Sequence, residues 1–126
     1  MTGREQLVKH GSDFAAARAA FGTFVSALPG ALEDVPTLAF DEAGDGTAGF
    51  AFAGRYYTLA HLPPAGQSAG SVIDLQSADA PKSLPSPVRS AVLMPDGRVR
   101  ADAESPPRWA LPDDAADLFV FHMTGH

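Results

Sequence analysis

The sequence predicts an α+β fold, with an N-terminal helix packed on an antiparallel sheet of five to seven strands. Three observations carry this expectation. Phe14, Ala17, Phe21, Phe24, Val25 and Leu28 recur at intervals of three and four, the spacing of one helix face. Over residues 37–62 the period becomes two: Leu38, Phe40, Phe50 and Phe52 alternate with small residues, as one buried strand face requires. Over residues 91–102, Ala91 to Met94 and Arg98 to Asp102 flank Pro95-Asp96-Gly97, a strong hairpin signal.

Each element has its own punctuation. Thr2 and Glu5 have capping-box spacing, so a helix can begin at Gly3. Gly11-Ser12-Asp13 reads as an interruption and a second start, and Pro29-Gly30 as the end. Gly44 to Gly46 then reads as a three-residue hairpin loop that sets Phe40 against Phe50 and Leu38 against Phe52. A turn at Ala53-Gly54 sets Phe52 against Arg55, Phe50 against Tyr57 and Ala48 against Leu59. This register puts Leu38, Phe40, Phe50, Phe52, Tyr57 and Leu59 on one face, with the helix stripe as its cover. Pro63-Pro64 stops the third strand, and Val72, Ile73 and Leu75 mark a short fourth one. Residues 77–90, rich in Ser and Pro, read as a mobile loop. Residues 104–108 read as a Pro-rich connection. Residues 113–122 stay ambiguous: Pro112-Asp113-Asp114 suits a helix start, whereas Leu118-Phe119-Val120-Phe121 suits a strand.

At 126 residues and 45% apolar content the chain fits a single globular domain over residues 1–126. Its net charge of −6 argues against nucleic-acid binding, which runs on Lys and Arg neutralising phosphates. The same charge argues against an anionic membrane surface. Acids crowd one segment (Glu33, Asp34, Asp41, Glu42, Asp45) and arginines another (Arg89, Arg98, Arg100, Arg108). There is no cysteine, so thiolate chemistry is excluded. No secretory signal or membrane span is legible, which points to the cytoplasm. The Ala, Gly and Pro content suggests a bacterial source.

Two catalytic-looking motifs lack their context. Gly44-Asp45-Gly46-Thr47-Ala48-Gly49 is a literal G-x-G-x-x-G, but the period-two run after it replaces the helix that a dinucleotide site needs. Gly66-Gln67-Ser68-Ala69-Gly70 is a literal G-x-S-x-G, yet Val72-Ile73 follows where a nucleophile elbow needs a helix. A triad of Ser68, one of Asp113, Asp114 and Asp117, and His122 can be written down, in a chain about half the length of an α/β-hydrolase. His122 and His126 have i, i+4 spacing, but Gly125 lies between them at the chain end. No metal site and no cofactor is expected.

The leading expectation is a non-catalytic protein-binding module (a chaperone, adaptor or regulator) that dimerises or binds another protein. Its interface candidates are Ala16, Ala19 and Ala20, on a helix surface with few charges, and Trp109, a residue type favoured at interfaces. The rival reading is a small-ligand domain or minor enzyme. Its pocket would lie between helix and sheet, lined by Phe50, Tyr57 and Leu59, with His61 and Arg55 as polar handles. The order of a leading helix, a three-stranded meander, a hairpin and a terminal element is broadly similar to small acidic chaperones for type III secretion effectors. The chain departs from them in having no evident helix between the two halves of the sheet, where those proteins build their dimer interface. The resemblance assigns no residues.

Overall fold

Helix α1 runs from Gly3 to Ala31 without a break in a computed structural model that describes residues 2–41, 44–64, 70–78, 84 and 86–126. Its start is the capping box: Glu5 N donates to Thr2 Oγ1 at 3.1 Å and Thr2 N to Glu5 Oε2 at 3.3 Å. The interruption expected at Gly11-Ser12-Asp13 does not occur. The helix runs straight through it, and Lys9 Nζ spans one turn to Asp13 Oδ2 at 2.7 Å. Nor does Pro29 stop the helix. It sits in the last turn, where a missing N–H removes a single bond, and Leu32 N closes the end on Leu28 O at 3.0 Å. Through Ser12 every described residue is exposed, so the first turns extend beyond the core.

Seven strands follow in one antiparallel meander, each beside its neighbour in sequence. They are β1 (Leu38–Phe40), β2 (Thr47–Phe52), β3 (Arg55–Leu62), β4 (Ser71–Ala78), β5 (Ser86–Leu93), β6 (Arg98–Arg100) and β7 (Pro107–Ala110). The first two hairpins have the register that their apolar alternation dictates. Leu38 pairs with Phe52, Phe40 with Phe50, Phe50 with Tyr57 and Ala48 with Leu59. Gly46 has φ +77°, and the Ala53-Gly54 turn has φ +52° and +83°, the left-handed pair that a tight two-residue hairpin requires.

Two segments read from sequence as irregular belong to the sheet. β4 continues through Ala78 and β5 begins at Ser86, so residues 77–78 and 86–90 of the loop expected over 77–90 are strand. A register shift between Leu75 and Gln76 lets Pro87 enter the ladder. The connection expected over 104–108 leads into β7, whose first residue, Pro107, takes the position where a strand tolerates proline. The ambiguous C-terminal segment is helix α2, Ala115–Thr124, ended by Gly125 at φ +82°.

Both helices pack on the same face of the sheet. Phe21, Phe24 and Leu28 of α1 and Leu118, Phe119 and Phe121 of α2 form one core with Phe50, Leu59, Ile73, Leu75 and Leu93. Among the described residues the only helices are α1 and α2, and neither is long and apolar enough to cross a membrane.

Candidate functional site

The one serine–histidine pair among the described hydrogen bonds lies beneath α1. His61 is near the end of β3 and pairs with Ile73; Ser71 opens β4, diagonally across the same face. From above, α1 lowers Phe14, Arg18 and Phe21, which its helical spacing places together. Both rings stack on the imidazole, Phe14 at 4.8 Å and Phe21 at 5.7 Å between centroids. His61 and Ser71 are 3% and 2% exposed.

The proton positions follow from donor chemistry. Arg18 Nε always carries hydrogen and lies 2.7 Å from His61 Nδ1, so Nδ1 accepts. The ring proton is then on Nε2, which donates to Ser71 Oγ at 2.7 Å. Ser71 in turn donates to Leu93 O at 3.2 Å. Burial, then the Arg18 cation, lower the His61 pKa from 6.5 to about 4, against a smaller opposing pull from Asp45. Arg18 also contacts Asp45 Oδ1 at 3.3 Å.

This order runs opposite to catalysis. A general base for Ser71 would need its Nε2 lone pair free to take the serine proton; here that nitrogen holds a proton and its partner nitrogen is occupied by an arginine. The sealed position adds to this, since a substrate carbonyl needs access to the hydroxyl. The chain is a polar clamp that ties α1 to β3 and β4. It also accounts for Gly46: a Cβ there would lie 2.6 Å from the Arg18 guanidinium. The second glycine of the G-x-G-x-x-G motif therefore makes a left-handed turn and leaves room for Arg18.

The other residues of the rival pocket do not gather around His61. Phe50 and Leu59 are fully buried, and Phe50 stacks on Tyr57 at 5.1 Å and meets Phe119 at 5.1 Å. Arg55 is exposed at the hairpin, six residues along β3 from His61, about 20 Å at strand rise. A surface pocket of about 270 Å³ lies instead between β7 and α2, lined by Arg108, Trp109, Asp114, Asp117, Val120 and His126.

His122 is the second buried histidine. Its Nδ1 faces Leu118 O and its Nε2 faces Ile73 O, both at 3.1 Å. Burial lowers its pKa; the two carbonyls oppose the shift. His126 lies beyond the Gly125 cap, and its carbonyl accepts from Arg108 Nη2 at 2.7 Å. Ser68 lies outside the described residues. Among the described residues no three His, Asp or Glu side chains are grouped to hold a metal ion.

Of the interface candidates, Ala16 and Ala19 are exposed on α1, and Ala20 is partly buried against the core. Trp109 is 5% exposed, held between Phe121 and the Arg108 guanidinium, which leaves little of it for a partner. The signal for Arg18 was present in the sequence: it falls four residues after Phe14 and three before Phe21. Ser71 had none, because only the β3–β4 register brings it to His61.

A second candidate is the sheet face turned away from the helices. Alternation places Ala39, Ala51, Tyr56, Thr58, Ala60 and Leu62 there from β1 to β3. Across β4 and β5 the Leu62–Val72–Val92 row continues it. Tyr56, Leu62 and Val88 are 36%, 38% and 40% exposed. Asp74 is the charge near its centre, and its carboxylate accepts from Gln76 Nε2 at 3.0 Å. A solvent-facing sheet face ordinarily alternates to polar residues; over β1 to β3 this one is small and mostly apolar, while Gln76, Ser90, Arg98 and Arg100 make its other half polar. No protein-family model matches this chain, and no curated protein or solved structure matches it significantly.

Proposed function

We propose that the protein is a non-catalytic protein-binding module, acting as a chaperone, adaptor or regulator. The observation that carries this reading is the face of the sheet turned away from the helices, which over β1 to β3 presents Ala39, Ala51, Tyr56, Thr58, Ala60 and Leu62 with no charged side chain among them. Contiguous exposed apolar surface marks interaction sites, and a flat sheet face suits a flat protein partner better than an enclosed ligand. Leu7 and Val8, exposed on the free end of α1, add a smaller apolar surface. The inverted Ser71–His61 proton order supports the non-catalytic side of the reading.

The test uses the immobilised full chain against a cell lysate, beside Tyr56→Lys, which puts a charge in the open face. A protein held by the wild type and released by Tyr56→Lys is the expected result. Equal retention by both forms, or a turnover assay abolished by Ser71→Ala, would overturn the reading.

A further inference from the structure

We infer that residues 3–18 of α1 form an arm that acid releases from the sheet, with protonation of His61 expelling Arg18 and the helix swinging out about Gly22. The device goes beyond the protein-binding reading and does not depend on it.

The arm has one polar tether. Among the described hydrogen bonds and ion pairs, Arg18 is the only α1 residue bonded to the strands or their turns. Its Nε donates to His61 Nδ1 at 2.7 Å and its Nη2 to His61 O at 3.4 Å, and its Nη1 lies 3.3 Å from Asp45 Oδ1. The apolar hold on the same stretch is thin. Phe14 is half-buried on the imidazole, Ala17 is buried but small, and every described residue through Ser12 is exposed. The capping box and the Lys9–Asp13 pair lie within the helix. They keep the arm helical without holding it down.

A second proton on His61 breaks the tether at its centre. Nε2 already carries the neutral ring's proton toward Ser71, so the second must go to Nδ1. That nitrogen then turns a hydrogen toward Arg18 Nε, itself a donor, and two cations meet at 2.7 Å. The charged groups acting on the ring are Arg18 from α1 and Asp45 from the β1–β2 turn; Ser71 from β4 is neutral. His61 is fixed in β3 by its pairing with Ile73. Arg18 is partly exposed, with the exposed Asp45 beside it to receive the guanidinium. Arg18 is therefore the partner that leaves.

Gly22 is the pivot. It stands in mid-helix four residues beyond Arg18, where glycine weakens a helix. A Cβ there would meet nothing within 4 Å, so no close approach calls for glycine; backbone freedom is what it supplies. A bend at this point carries residues 3–18 away. It leaves Phe21, next to the pivot, and Phe24 and Leu28 beyond it in the core. Once released, His61 meets water and regains its ordinary proton affinity. Docking is at full strength above pH 6.5. It weakens about tenfold per pH unit from there to about 4, roughly 300-fold in all. Opening bares Phe14 and the His61–Ser71 pair.

Amide hydrogen exchange of the full chain, corrected for its intrinsic pH dependence, reads the arm against the sheet. Amides 14–18 should exchange through an opening that β4 does not share. Their protection should be lower than that of β4 at each pH, nearly insensitive to mild urea, and up to about 300-fold weaker at pH 4 than at 6.5. In His61→Gln, whose amide offers an acceptor and a donor without titrating, the pH dependence of the arm should vanish. Gly22→Ala should reduce the opening about fivefold. Protection that falls in step in α1 and β4, with one urea dependence, would overturn the inference. So would a His61 ring that takes up its proton by NMR while amides 14–18 stay protected, or an acid response unchanged in His61→Gln. Should that variant misfold by circular dichroism, Gly22→Ala decides: an opening it does not reduce removes the arm.

Discussion

His61 and His122 are buried against the same face of the same sheet, yet their ring nitrogens meet different chemistry. His61 stands between a donor, Arg18 Nε, and an acceptor, Ser71 Oγ. A neutral imidazole with one N–H satisfies both. His122 stands between two acceptors, the carbonyls of Leu118 and Ile73. The neutral ring can satisfy one of these, and only the cation satisfies both. Burial opposes that cation. Arg89, which donates to His122 O at 2.7 Å, opposes it further, while Asp74 favours it. A buried histidine is thus at rest or under tension according to what stands on its far side.

Truncation should separate the two most strongly. His122 is fully buried, and His122→Ala leaves a cavity and removes the ring's hydrogen bond, for a loss of about 3–4 kcal/mol. His61→Ala should cost less, about 2–3 kcal/mol, because Arg18 is partly solvated and Ser71 keeps Leu93 O. Urea unfolding followed by circular dichroism measures both. A larger loss at His61 would reverse the comparison.

Acid sharpens it next. Above pH 6.5 His61 is neutral both folded and unfolded, and its titration contributes nothing. Between 6.5 and about 4, the unfolded chain binds a proton that the folded chain does not, so stability falls as pH falls. Below about 4 both states are protonated and the loss levels off. Over that window the cost is on the order of 3 kcal/mol. His122, also lowered, acts in the same direction. In His61→Leu the slope should shrink to the His122 share; an unchanged slope would show that His61 is not the proton-refusing group.

Ser71→Ala removes the acceptor of the Nε2 proton and leaves it buried. The expected loss is about 1–2 kcal/mol. Ser71→Thr keeps the oxygen and should recover part of it. A loss no greater than that of an exposed serine would mean the ring proton has another acceptor.

The legible parts of the molecule are those where a local pattern has one outcome. Phe40, Phe50 and Tyr57 alternate across turns that need left-handed residues, and Gly46 and Gly54 supply them, so register followed from sequence. β7 was hidden because Pro106-Pro107 marks a connection wherever no neighbouring strand is known. α2 was ambiguous because Leu118 to Phe121 is apolar at every position; the tertiary fold resolves it by burying Leu118, Phe119 and Phe121 and exposing Val120. In α1, Gly11 was read as a break because its cost is visible locally, while the capping box and the Lys9–Asp13 pair that offset it act over whole turns. His61 was singled out from its strand position. Its partners come from an element 43 residues earlier and one 10 residues later, separations at which sequence has no period to read.

Arg18→Met makes the finest distinction. The variant keeps an apolar stem against Phe14 but takes away the cation beside Nδ1. Because Arg18 lowers the His61 pKa, its removal must raise it, and the acid slope of stability should begin to level off at a higher pH than in the wild type. With Nδ1 no longer facing a donor, the ring can also exchange tautomers, so the Nε2–H to Ser71 bond should be less protected in proton NMR. The stability loss should be small, about 1 kcal/mol, because the arginine is partly solvated and its contact with the exposed Asp45 contributes little. A His61 titration that stays at its wild-type midpoint would mean burial alone sets the ring's proton affinity. The arginine would then be a cover over the clamp and not part of it.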